Sequence, residues 1–301
     1  VSNDVFLTVC IPVYNSDVTE IVDQLFNQTS KLSKSVEIII IDDHSEEQSR
    51  KKLHLISDKS RVIELEQNIG RSRIRNLFLD FAEGNYLLFI DGDSKLISTD
   101  FLSDYILHLE KNNSEVLLGG SVYQKTKPEK NKLLRWRYST ERESKSAKDR
   151  KDGKHAFKTN NFIVRKTIFE EVKFDESLIG YGHEDTLFGI ELNRRKINIE
   201  HIDNPVLNEH LDANEVFLKK TENAIQNLVQ IYRKSAEIPE VKQVKLIRYY
   251  ELCKRWKLLF VTRLSFKTTQ ILFFNLLKSG YFTLWMFDFY KLGLFIRKIK
   301  S

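Results

Sequence analysis

Four short apolar runs, residues 6–12, 36–41, 61–65 and 86–90, constrain this chain more than any other feature. Each is rich in β-branched and aromatic side chains, and each is followed by a stretch with helical spacing. Val18, Ile21, Val22, Leu25 and Phe26 define one face of a helix over 18–32, and further helices are predicted over 50–56 and 71–83. Strands that alternate with helices and are apolar on both faces need cover on both sides. This predicts an α/β fold with a mostly parallel, doubly wound sheet. Ligands of such sheets bind beyond the carboxyl ends of the strands. Three polar clusters fall at those ends: Pro12 to Asn15, the pair Asp42 and Asp43, and Asp91-Gly92-Asp93. One rim therefore gathers the candidate chemistry.

Further along, the pattern predicts a helix over 101–111, a strand over 115–123, a strand then a helix within 162–174, a strand over 197–202 and a long helix over 214–235. Residues 125–158 are dense in charge around Trp136 and Tyr138, and read either as a solvated helix and loop or as a flap near an acceptor. A domain boundary near Pro239 separates residues 1–239 from 240–301. With 41% hydrophobic and 30% charged residues, a packed core is expected and global disorder is excluded. Cys10 falls in a buried strand and Cys253 in a basic helix, so no disulfide is expected. Together with the lack of a signal-like N-terminus, this predicts a cytoplasmic setting.

Two aspartates flanking one glycine at a strand end form a compact oxygen site for Mn²⁺ or Mg²⁺, and Gly92 leaves room for a phosphate. An acidic turn alone accounts for the motif equally well; its position after an apolar strand is what favours a site. One of Asp42 and Asp43 is expected to cap the next helix, and the other can accept from a base N–H. Asn68, Gly70, Arg71 and Arg75 sit at a helix start suited to an anionic phosphate, though an ordinary basic surface helix has the same residues. Glu184 and Asp185 follow Gly180 and Gly182 at another helix start. Capping explains a carboxylate there, and so does removal of a proton from an acceptor hydroxyl. His210 is structural or a metal ligand.

At these residues the chain resembles family 2 glycosyltransferases of the GT-A fold. The motifs are Ile11-Pro12-Val13-Tyr14-Asn15, Ile41 to Ser45, Asn68 to Asn76, Phe89 to Asp93 and Gly182-His183-Glu184-Asp185, in the family's order over residues 5–235. The resemblance implies inverting transfer from a nucleotide sugar, most often a UDP-sugar, to a saccharide acceptor. It places Pro12 and Tyr14 beside the nucleoside, Asp43 at the uracil edge, and Arg71 and Arg75 near base or phosphates. Asp91 meets the ribose or a metal-bound water, Asp93 ligates the metal, Asp185 is the base, Glu184 orients hydroxyls, and His210 completes the metal shell. The sequence departs from the common pattern with His44 where glycine is frequent, and with Gly92 between the aspartates. The alternative is a catalytically weak nucleotide-sugar-binding or scaffold protein. A nucleotidyltransferase would need a glycine-rich basic loop after the first strand, where Pro12 to Ser16 stand instead.

Residues 241–301 hold 13 Lys/Arg and 14 aromatics against Glu251 and Asp288, a local charge of +11 on a chain of net +6. Charged residues interrupt every apolar stretch, which disfavours a spanning helix. Basic residues flanking aromatics suit an anionic membrane interface, with the protein peripheral on the inner face of the cell membrane and the acceptor lipid-linked. A helical subdomain or a dimer face is the competing reading. No motif supports nucleic-acid binding.

Overall fold

A computed structural model describes residues 5–151 and 157–299. The chain begins β1 (Leu7–Val13), α1 (Thr19–Thr29), β2 (Val36–Asp42), α2 (Glu47–His54), β3 (Arg61–Glu64), α3 (Arg71–Leu77), β4 (Tyr86–Ile90) and β5 (Ser94–Leu96). It continues through α4 (Phe101–Asn112), β6 (Val116–Leu118), β7 (Ser121–Tyr123), α5 (Leu133–Tyr138), α6 (Ala147–Lys151), β8 (Asn161–Arg165), α7 (Lys166–Glu171) and α8 (Glu184–Arg194). After β9 (Ile199–His201) and β10 (Val206–Asn208) come α9 (Asn214–Ser235), α10 (Pro239–Gln243), α11 (Lys245–Arg255), α12 (Leu259–Ser279) and α13 (Leu284–Ile299). These form two compact units, one of residues 1–124, 144–176 and 191–210, the other of 125–143, 177–190 and 211–301.

The first unit holds a seven-stranded sheet in the order β3-β2-β1-β4-β8-β6-β9. All seven residues of β1 but Pro12 are buried, as are all five of β4, so both faces are covered. On one face Val9, Ile11, Ile40 and Leu88 pack with Val22 and Leu25 of α1 and with α4. On the other, Phe89 stacks on Phe162 at 4.9 Å and meets Phe78 and Phe169 edge-on at 5.7 and 5.3 Å. The sheet is mostly but not wholly parallel: β8 runs antiparallel to both β4 and β6.

The strand expected over 115–123 is two strands in two sheets. The chain breaks at Gly119-Gly120, where Gly120 has φ +88°. Beyond the break β7 joins a second sheet, β5-β10-β7, which the sequence reading did not foresee. A buried network fixes the break. Tyr105 Oη donates to Asn161 Oδ1 at 2.6 Å, and Asn161 Nδ2 donates to the carbonyls of Asn204 and Gly120 at 2.8 and 2.9 Å. A Cβ on Gly119 would lie 1.9 Å from Tyr105 Oη and 2.6 Å from the Asn204 carbonyl oxygen. Gly119→Ala is therefore expected to cost about 3 kcal/mol, the upper end of over-packing, read as a lowered midpoint in denaturant; an unchanged midpoint would contradict the tight approach.

The charge-dense stretch 125–158 contains the helices α5 and α6, and α6 is tied into the fold rather than merely solvated. Arg150 of α6 donates to the Lys145, Gly119 and Ile202 carbonyls at 2.6, 3.1 and 2.6 Å, clamping the same junction. Residues 152–156 of the flap reading lie outside the described residues.

The second unit is helical. Phe217, Leu218, Ile225, Leu228, Val229 and Tyr232 of α9 recur at helical spacing and share one core cluster with Phe287, Leu294 and Phe295 of α13. Helices α12 and α13 approach closely because Gly293 has no side chain: a Cβ there would meet the Phe266 ring at 2.1 Å. Tyr290 Oη donates to Glu222 Oε1 at 2.8 Å, tying α13 to α9.

Candidate active site

The rim at the carboxyl ends of β1, β2 and β4 is lined by carboxylates, of which Asp42 and Asp43 are buried. Asp42 is fully buried and accepts from the Ser45 N–H at 3.0 Å and from its hydroxyl. That holds the turn containing His44, whose φ of +62° replaces the frequent glycine. Ser45 Oγ in turn accepts from the Asn15 N–H at 2.7 Å, and Asn15 Oδ1 accepts from the Glu46 N–H at 2.8 Å. The first two polar clusters are thus tied together, and Tyr14 stands beside them 56% exposed.

Asp43 does more than wait for a base. Its two carboxylate oxygens accept from the Ile69 and Gly70 N–H groups at 2.6 and 3.0 Å, and its carbonyl accepts from Asn68 Nδ2 at 3.0 Å. Gly70 has φ +84°, a conformation costly for a side chain, and starts α3 directly. Asn68 and Gly70 therefore shape the loop that delivers Arg71 and Arg75.

Arg75, which the resemblance sets near base or phosphates, is turned inward. Its side chain is 2% exposed and donates through Nη2 to Asp91 Oδ1 at 2.7 Å and through Nη1 to the Arg71 carbonyl at 3.1 Å. The guanidinium lies 5.8 Å from the centre of the Phe174 ring. Its charge is committed to Asp91, so Arg75 positions that carboxylate. Asp91 keeps 26% of its side chain exposed at the end of β4.

Asp93 lies past the turn. It lines a recess of about 430 Å³ with Asn15, Ser16, Gly92, Glu209 and His210. The register explains the meeting. β10 pairs antiparallel with β5, setting Asn208 opposite Ser94, and Ser94 Oγ donates to Asn208 Oδ1 at 3.1 Å. The next residues on each strand are Asp93 on one side and Glu209 and His210 on the other. Asp93 reaches solvent, yet the protein around it raises its carboxyl pKa: desolvation first, then Asp91, opposed by Arg71 and His210. Gly92 sits tightly, since a Cβ would be 3.1 Å from Val18 and 3.3 Å from the Pro12 carbonyl oxygen.

The recess offers the Asp93 and Glu209 carboxylates and the His210 imidazole, and Arg75 holds the neighbouring Asp91. Among the described residues no three His, Cys, Asp or Glu are grouped closely enough to enclose an ion. A hard cation that keeps substrate oxygens in its shell fits such a partial site, and Asp93 and His210 are the residues that would hold it.

Glu184 and Asp185 belong to the second unit. Glu184 is buried and accepts from the Gly182 N–H at 3.0 Å, so it closes the loop before α8. Gly182 has φ +102° and packs on Ala224 of α9, while Asn227 Nδ2 donates to the Gly182 carbonyl at 3.0 Å. Asp185 Oδ1 accepts from the Thr186 N–H at 2.7 Å and Asp185 is partly exposed. Capping is thus part of what this pair does.

The family profile described as "Glycosyl transferase family 2" matches residues 8–173, more than half of the chain. The chain belongs to glycosyltransferase family 2. Within that family it is 34% identical over 119 residues to the poly(ribitol-phosphate) beta-glucosyltransferase of Bacillus spizizenii, covering 38% of this chain and 18% of that protein. It is 33% identical over 121 residues to the poly(ribitol-phosphate) beta-N-acetylglucosaminyltransferase TarS of Staphylococcus aureus, covering 37% and 20%. The matched part of the chain is thus about a fifth of these relatives' length. The crystal structure of a TarS fragment in complex with UDP superposes with TM-score 0.51 at 21% identity, over 74% of this chain and 65% of that one. The mannosyltransferase PcManGT of Pyrobaculum calidifontis, in complex with GDP-Man and Mn²⁺, superposes with TM-score 0.59 at 14% identity, over 98% and 85%. The seven-stranded sheet with its helices is the GT-A fold expected of the family, followed by the helices α9 to α13.

The family-derived residues of the first unit cluster on one rim: Pro12, Tyr14, Asp43, Asn68, Gly70, Arg71, Arg75, Asp91, Gly92, Asp93 and His210. Sequence reasoning missed Glu209, which lines the recess and pairs with Lys95 at 3.0 Å. Its only signal was adjacency to His210.

Proposed function

We propose that this chain is an inverting glycosyltransferase that moves a hexose or N-acetylhexosamine from a UDP-sugar to a saccharide acceptor. In this reading the acceptor is lipid-linked and belongs to bacterial surface polysaccharide synthesis. The named activities of the two relatives, transfer of glucose or N-acetylglucosamine onto poly(ribitol-phosphate), support that direction. The observation that carries the reading is Asp93, just past the end of β4 and next to Asp91 in charge, sharing a recess with His210.

Asp43, Asn68 and Gly70 form the nucleoside side of the rim, with Pro12 and Tyr14 beside it, and Arg71 adds positive charge near the leaving diphosphate. Arg75 keeps Asp91 oriented toward the ribose. Asp93 and His210 would hold a Mn²⁺ or Mg²⁺, which would supply Lewis-acid neutralisation of the diphosphate. Asp185 takes the proton of the acceptor hydroxyl as its oxygen bonds to the anomeric carbon. The bond from that carbon to the phosphate oxygen breaks on the opposite face, and UDP leaves with the electron pair.

Asp93→Asn is expected to remove the metal-dependent part of UDP binding. Calorimetry with and without Mn²⁺ reads this directly: the parent should bind UDP at least ~10-fold more tightly with the ion, a gain of ~1.4 kcal/mol, and the variant should show no gain. A variant that keeps the full gain would remove Asp93 from the metal site.

A further inference from the structure

The basic tail carries two apolar surfaces, and only one of them is covered. Helix α13 buries Phe287, Tyr290, Leu294, Phe295 and Ile296 in the second unit's core. Helix α12 turns Phe266 and Leu277 inward, while Phe260, Val261, Leu264, Ile271 and Leu272 are exposed. Those five share one stripe, because positions three, four, seven and eleven apart lie on one side of a helix. Trp256, 70% exposed, precedes the stripe at the end of α11. Exposed Lys254, Arg255, Lys257, Arg263 and Lys267 are interleaved with it.

The acids of residues 241–299 are already engaged. Glu251 accepts from the Tyr232 hydroxyl, and Asp288 pairs with Lys291, Arg142 and Lys245 at 3.0, 3.4 and 3.5 Å. Two copies meeting through this stripe would set like charges against one another. A soluble polyanion would use the cations and leave the apolar stripe in water. An anionic bilayer surface satisfies both, and no described helix is long and apolar enough to cross it.

We propose that α12 lies in the plane of an anionic membrane, with Trp256, Phe260, Leu264 and Ile271 among the acyl chains and Lys254, Arg255 and Lys257 on lipid phosphates. This rests on the peripheral-membrane expectation for the tail, and confines it to one face that excludes α13. The test is flotation of the full chain with vesicles of phosphatidylglycerol and phosphatidylcholine, against phosphatidylcholine alone, with Trp fluorescence as a second readout.

The parent should float with anionic vesicles only, and its emission should shift to the blue. The triple change Lys254→Gln, Arg255→Gln and Lys257→Gln should weaken partitioning by about 10²-fold, from roughly a fivefold loss per basic residue. The triple change Phe260→Ser, Leu264→Ser and Ile271→Ser should abolish flotation, and Trp256→Phe should remove most of the blue shift. All these side chains are exposed, so circular dichroism of the variants should match the parent. Equal flotation with neutral vesicles overturns the proposal. So does a dimer in sedimentation that the serine variant dissolves without any vesicle binding, or retention on polyphosphate that depends on the cations with no flotation. UDP binding is measured on the same variants and should stay at the parent level, which separates failure of docking from failure of the transferase reading.

Discussion

Replacing Asp185 by asparagine is expected to slow sugar transfer by about 10²–10⁴-fold, the range removed with a general base, while UDP binding stays intact. The amide keeps an oxygen that can accept from the Thr186 N–H, now at 2.7 Å, so the start of α8 keeps its cap. It cannot take a proton from an acceptor hydroxyl. The neighbouring change Glu184→Gln serves as the contrast. Glu184 is buried and accepts from the Gly182 N–H, so its loss should act mainly through the loop before α8 and appear in thermal stability as well as rate. Near-parent turnover in Asp185→Asn would take the base role away from Asp185.

The second large effect is expected at Arg75, a buried residue. Arg75→Met removes the partner of Asp91 and leaves its carboxylate facing an apolar side chain. Breaking a buried ion pair from one side costs about 3–5 kcal/mol. Because Asp91 is 26% exposed, the lower end, about 3 kcal/mol, is expected in chemical denaturation. UDP binding should weaken too, since Asp91 loses the contact that fixes it at 2.7 Å. Arg71→Met should behave differently. Arg71 adds positive charge near Asp93, so its loss should weaken binding of the diphosphate more than it lowers stability.

The central strands were legible because β1, β2 and β4 are apolar on both faces, a pattern that a helix of that length does not need. The three-residue strands β5, β7 and β10 are too short for any period to show. The direction of β8 was not legible either: antiparallel pairing with β4 and β6 is set by the return of the chain, and an apolar run reads the same in both directions. The Gly119-Gly120 break was visible as residues but not as a break, since its cause is Tyr105, Asn161 and Asn204 from elsewhere in the chain.

The site divides in the same way. Asp91 and Asp93 stood out because they close an apolar strand. Arg75 looked like an ordinary phosphate-binding arginine, because its burial beside Phe174 depends on residues far along the chain. The resemblance sets Asp43 at the uracil edge, and its bonds to Ile69 and Gly70 emerge only from the folded loop. In the tail, composition marked both α12 and α13 as basic and aromatic. Only packing separates them: Gly293 admits Phe266, and α13 buries most of its apolar side chains apart from Trp285, while the outer stripe of α12 stays exposed.

The most direct test of the transferase reading is release of nucleoside diphosphate from a panel of nucleotide sugars, with Mn²⁺ and with the ion removed by chelation. UDP-glucose or UDP-N-acetylglucosamine should be turned over in preference to GDP- and CMP-sugars, and chelation or Asp93→Asn should abolish the release. Release that ignores the base and the ion, or no release from any UDP-sugar with a saccharide acceptor present, would contradict it.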